Sequence, residues 1–394
     1  MKKNYILLFF YTTMVFLSAN SIFAQEEQKE KTKITFRDTL DHNFDLSDFI
    51  INKKGFIPLP VIITEPALGG FGGGLAPIFI QPNKPRNLNG KMIPMAPNIT
   101  AAFGGGTLNG SWFAGGGRVG TISKWGIRYT IGAAYGDVNM DYYFNLDKLN
   151  KEVESEFNIK TIPVFLSIEK QLKNPRFSVG LHYLFMHNKL EVKNPAAGPL
   201  QQKIDSLVSG HLSGNIGKLG LKASFDSRDN TFTPNKGLKA YITADWSNSA
   251  FGSDYNYGQF EGAAYYYFPL SHNLITGTRF DMQQAVGDIP FYIKPFIDMR
   301  GVPTASYQGK TTILVELEER WDFNKRWSLL AFGGAGKGFD NYSDFGSAKW
   351  AWSYGTGFRY LMARLLKLRM GLDFAMGPDG FTYYIVFGSS WIRQ

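Results

Sequence analysis

The sequence predicts an all-β protein, a transmembrane antiparallel barrel of about 16 strands. Three observations carry this: a two-residue hydrophobic period sustained over long runs, connections that alternate between short and long, and an export signal at the N-terminus. The period is plainest in "GLKAYITADWSN". There Leu238, Ala240, Ile242, Ala244 and Trp246 alternate with Lys239, Tyr241, Thr243 and Asp245. In "LKLRMGLDFAMG", Leu366, Leu368, Met370, Leu372, Phe374 and Met376 stand against Lys367, Arg369 and Asp373. Alternation of this kind belongs to strands with one apolar and one polar face. A soluble sandwich would bury the apolar face between sheets, whereas a membrane barrel turns it to lipid. Runs of about 10–14 residues favour the barrel, because soluble strands usually stop at 5–6. Charged residues also recur mid-strand on the polar face, at Arg279, Asp281, Glu316, Glu318, Arg369 and Asp373. Trp246, Trp321, Phe323 and Trp391 fall near strand ends, as an interfacial girdle would.

Counting back from the C-terminus, strands are expected near 381–392, 366–377, 350–362, 326–339, 311–323, 273–287, 257–271, 237–248, 217–229, 176–189, 158–172, 125–144, 110–122 and 98–106. Short links such as "SKW", "KNPR", "LSHN" and "DFNKR" lie on one side, and the segments 145–157, 190–216, 249–256, 288–310 and 340–349 on the other. Outer-membrane barrels have short periplasmic turns and long external loops. Upstream, "PVIITEPALGGFGGGLAPIFI" reads as one broken strand or as two, and an even strand number gives a barrel over 57–394.

The first residues supply the compartment. Lys2 and Lys3 precede an apolar stretch that ends in "SIFA", a secretory signal peptide over 1–24 rather than a membrane anchor. Residues 25–56 are charged and too few for a domain, so they read as a periplasmic leader with little structure and one short helix, or else as plain linker. There is no cysteine, hence no disulfide and no thiolate metal site. The net charge of +9 is scattered along an exported chain and does not point to nucleic acid.

Few motifs suggest chemistry. "GGFGGG" (69–74) and "GGAGKG" (333–338) lead into no helix and lack the spacing of phosphate loops, so glycine there is read as a kink or a close approach. His182 and His187 lie on opposite faces of one strand, and none of the five histidines has metal-ligand spacing. No metal, cofactor or enzymatic activity is expected.

Two motifs go further. "FDSRDNTFTPNKGLKA" contains Asp226, Arg228, Asp229, Pro234 and Gly237, and "MRGVPTASYQGKTTILVELEER" contains Arg300, Gly301, Glu316, Glu318 and Arg320. Together they resemble the BamA/TamA superfamily of outer-membrane assembly barrels (the bacterial surface antigen family). The resemblance implies a long external loop folded into the lumen, its arginine paired with the wall. Glu316, Glu318 and Arg320 share the lumen-facing parity and are the candidate partners, unless they simply face water. Three departures accompany it. Val302 replaces the usual aromatic after Arg-Gly, and Gly333 and Gly334 stand where an aspartate is usual. The chain also looks like a relative without POTRA domains. The implied role is assistance to insertion, assembly or translocation of outer-membrane or surface proteins. The alternative is a passive pore or scaffold with the same fold. Implied partners are outer-membrane lipids, unfolded or secreted clients and, left open, a separate periplasmic subunit. A seam between the first and last strands is expected at Gly70, Gly72, Gly73, Gly74 and Gly388, unless those glycines only make room for the loop.

Overall fold

The computed structural model describes residues 35–52, 55–81, 83, 86–88, 91–93, 98–146, 151–193 and 210–391. The expected signal peptide lies outside the described residues. Sixteen strands form one antiparallel sheet. The first six are β1 (Gly55–Ile63), β2 (Gly72–Gln81), β3 (Asn98–Thr107), β4 (Trp112–Ile122), β5 (Ile127–Leu146) and β6 (Lys151–Gln171). Next come β7 (Phe177–Val192), β8 (Ser213–Asp226), β9 (Gly237–Ser247), β10 (Tyr257–Pro269) and β11 (Leu274–Gly287). The last are β12 (Thr311–Trp321), β13 (Trp327–Phe339), β14 (Trp350–Ala363), β15 (Leu368–Gly377) and β16 (Gly380–Phe387). Each pairs with its neighbours in sequence order, giving a nearly closed barrel. A hairpin of Arg86–Leu88 and Lys91–Ile93 stands apart from the sheet.

The alternation read from the sequence maps onto the wall. On β9, Tyr241, Asp245 and Ser247 are buried while Ile242 and Trp246 face outward. On β12, Leu314, Glu316, Glu318 and Arg320 are buried inward while Val315, Leu317 and Trp321 are exposed. In water such a belt of exposed apolar side chains would aggregate, whereas in a bilayer it meets lipid. Of the two readings of the N-terminal stretch, two strands is the one found, the first beginning at Gly55. Two expectations need correction. The segment 145–157 is largely strand, because β5 and β6 extend upward and their inward Met140, Tyr142, Phe157 and Ile159 pack under the 288–310 loop. Trp391 is no girdle residue, being only 4% exposed inside the lumen. In the leader, residues 35–52 contain a bridge from Arg37 to Phe44 and the short helix α1 (Ser47–Asn52), which sets aside the reading as plain linker.

Candidate functional site

The 288–310 loop enters the lumen as a finger. Its two limbs are joined by a bridge between Phe296 and Gln308 and by Ile297 N donating to Tyr307 O at 2.9 Å. At the tip, Val302 N donates to Met299 O, and Gly301 takes φ +80°, a conformation that favours glycine. The opposite wall is pared away to receive it: a Cβ on Gly377 would lie 1.8 Å from Gly301 O, and one on Gly334 2.7 Å from Met299 Sδ. The second glycine cluster of the sequence therefore serves close approach. Val302, in place of an aromatic, still packs, buried with Ile297, Met299, Leu314 and Ala351.

Arg300 reaches two carboxylates. Its Nη1 donates to Asp373 Oδ2 at 2.8 Å, and its Nη2 lies 2.8 Å from Glu318 Oε2, a close charge contact outside hydrogen-bond alignment. The guanidinium also lies 3.5 Å above the Phe332 ring. Asp373 is fully buried and holds Arg359 as well, through contacts of 2.5 and 2.9 Å. Buried charges persist only when paired in this way. Of the expected partners, Glu318 is one. Glu316 instead accepts from Arg279 Nη1 at 2.6 Å, and Arg279 also bonds Asp281. Arg320 points down to the family turn, donating to Pro234 O at 3.3 Å and to Asn235 Oδ1. Asp373, on β15, supplies the carboxylate that Gly333 and Gly334 lack on β13. Its parity was visible in the sequence, but not which strand lies across the lumen.

The turn motif packs tightly. Arg228 makes a bidentate pair with Asp226 at 3.0 and 2.7 Å, and Asp229 Oδ1 accepts from Asn235 N at 2.8 Å. Gly237, at φ +109°, has no room for a Cβ, which would sit 2.4 Å from Ser227 O. After β16, Gly388 at φ +76° turns the chain inward. Trp391 Nε1 then donates to Glu316 at 3.1 Å, Ser390 Oγ to Glu318 at 3.2 Å, and Ser389 N to Phe232 O of the turn. The tail thus joins Glu316 and Glu318, the latter shared with Arg300 of the finger, to the turn at Phe232.

Below the barrel the leader is pinned to two short turns. Arg326 donates to Asp41 and Asp38 at 2.5 Å and to Asp45 at 2.6 Å, and Arg364 bonds Asp38 too. Hydrogen bonds from Arg364 hold Asp38 below the usual carboxylate range, and those from Arg326 do the same for Asp41. For Asp45, burial pushes upward, but bonds from Ser47 and Arg326 outweigh it.

The seam lies where β1 and β16 fail to pair: among the described residues no ladder joins them. Pro58 stands opposite Pro77 in the β1–β2 register, and neither has an N–H, so this is a non-hydrogen-bonded pair. By alternation, Pro58 and Pro60 both direct their missing donors toward the free edge. The β2–β3 ladder is correspondingly interrupted at Ala76 and Pro77. The expected glycines Gly72, Gly73 and Gly74 lie one strand in, on β2, paired on both sides. Gly70 precedes β2, and Gly388 lies just past β16.

Residues 124–378 match the Omp85 superfamily domain. The chain belongs to the Omp85 superfamily. This Omp85 barrel is similar in fold to BamA from Haemophilus ducreyi, solved without POTRA domains 1–3, at TM-score 0.58 and 15% identity over 85% of this chain and 70% of that one. CdiB from Escherichia coli aligns at TM-score 0.57 and 9% identity over 85% and 62%, and CdiB from Acinetobacter baumannii at 0.54 and 9% over 85% and 60%. The chain therefore spans about 60–70% of their lengths. No curated protein matches it in sequence. It is an outer-membrane β-barrel protein.

Proposed function

We propose that this Omp85 barrel assists the insertion, assembly or translocation of outer-membrane or surface proteins by opening between β1 and β16. The observation that supports the reading is the unpaired seam, with Pro58 and Pro60 removing donors from the free edge of β1. A strand edge that its own barrel does not satisfy can template a client strand through main-chain hydrogen bonds. The finger is positioned to sense that edge, since Gly301 N donates to the Tyr384 hydroxyl on β16 at 2.9 Å. The mechanism is strand exchange and uses no catalytic side chain, metal or cofactor. Clients would be unfolded β-strand proteins, with outer-membrane lipid as the medium and a separate periplasmic subunit as a further partner. The lumen, occupied by finger, turn and tail, weighs against a passive pore.

The test uses the purified barrel in liposomes with a urea-unfolded small outer-membrane protein. Its folding is expected to run faster than in empty liposomes, and the acceleration is expected to disappear in Arg300→Ala. Equal rates with and without the barrel would remove the assembly role.

A further inference from the structure

On the outer wall stands a charge that neither the seam nor the lumen uses. Arg118 lies on β4 with outward parity, since its inward neighbour Val119 is buried and Trp112 on its own face is exposed. Its guanidinium is held by acceptors from three other strands. Nη1 donates to Thr100 Oγ1 on β3 at 2.7 Å, Nη2 to Gln81 Oε1 on β2 at 3.0 Å, and Nε to the Tyr129 hydroxyl on β5 at 3.2 Å. Tyr129 can reach it because the position beneath its ring is Gly120, where a Cβ would sit 2.2 Å away. All three acceptors are neutral, and Arg118 makes no ion pair among the described residues. Three of its five N–H groups are thus engaged in fixing it, and two remain.

Its height on the wall says what those two would meet. Arg118 stands four positions before Ile122 at the end of β4, which at the usual rise and tilt is roughly 10 Å of depth. At its own level the outer face is apolar, with exposed Ile131 opposite Arg118 and exposed Phe79 opposite Thr100 in the ladders, and Ile122 is exposed toward the turn. Below it are exposed Trp125, Lys124, and Lys170, whose ammonium donates to Trp125 O. Short turns mark the periplasmic side, and the guanidinium extends that way to Gln81, the last residue of β2, so it faces the headgroups of the periplasm-facing leaflet, which consists of phospholipid. A preorganised, unneutralised guanidinium at that level matches a phosphate in geometry and charge.

We propose that Arg118 centres a binding site for the phosphodiester of an anionic phospholipid, with Lys124 and Lys170 supplying further positive charge. Its test is native mass spectrometry of the full-length protein in detergent containing phosphatidylglycerol or phosphatidylethanolamine. Wild type retains phosphatidylglycerol preferentially, and Arg118→Gln retains about tenfold less, the loss of one charge-assisted contact. Thr100→Val, which keeps the charge but frees the guanidinium, shows an intermediate loss, so the proposal stays testable if Arg118→Gln does not fold. Retention unchanged in a folded, heat-modifiable Arg118→Gln barrel would overturn it. Displacement of the lipid by millimolar inorganic phosphate would overturn it too, by making this a free-anion site. Equal retention of the two lipids by wild type would contradict the anionic preference.

Discussion

At the residue scale, the arrangement turns on buried charges that must be matched. Removing Arg300 leaves Glu318 and Asp373 with one guanidinium fewer, and breaking a buried pair this way costs roughly 3–5 kcal/mol. Arg300→Ala is therefore expected to lower the heat-modifiability midpoint of the purified barrel clearly. Asp373→Asn should lower it further than Glu318→Gln, because Asp373 serves both Arg300 and Arg359. An unchanged midpoint in all three variants would mean that the lumen charges are solvated rather than paired. Gly377→Ala tests the close approach, since its Cβ would overlap Gly301 O; the finger is expected to be displaced, with faster tryptic cleavage at Arg300. At this scale the sequence showed faces but not partners. Parity put Glu316, Glu318, Arg320 and Asp373 on one wall. Which of them meets Arg300 depends on the path of the finger across the lumen, and that path depends on contacts far apart in sequence.

At the element scale, the leader is the part least legible beforehand. Its acidic residues Asp38, Asp41 and Asp45 have no motif spacing, and their partners Arg326 and Arg364 lie some 280–330 residues away. All three carboxylates are held below their ordinary value when docked. Docking stability is therefore fully present above the unfolded carboxylate pKa of about 3.9, and is lost only as pH falls through the lower docked values. Hydrogen exchange over residues 35–52, corrected for intrinsic rates, should show equal protection at pH 7 and pH 5 and a loss well below pH 4. Arg326→Ala should abolish that protection at pH 7. Strand elements were more readable, since alternation survives wherever one face meets lipid and the other the lumen. It misled at the tail, where Trp391 continues the apolar look of β16 although Gly388 has already turned the chain inward.

For the whole molecule, the proposed function requires the barrel to part at β1 and β16. Strand number and lipid-facing pattern were legible in the sequence. A seam between the first and last strands was anticipated; of the glycines named for it, Gly72, Gly73 and Gly74 lie on β2 and Gly388 just past β16, while the free edge carries the prolines of β1. The native chain has no cysteine, so a cysteine pair placed across β1 and β16 would be its only thiols. The decisive measurement is client folding in liposomes by this variant, oxidised and then reduced. Opening at the seam predicts a folded, heat-modifiable barrel that is inactive when cross-linked and active again after reduction. Full activity in the cross-linked form would contradict opening at the seam.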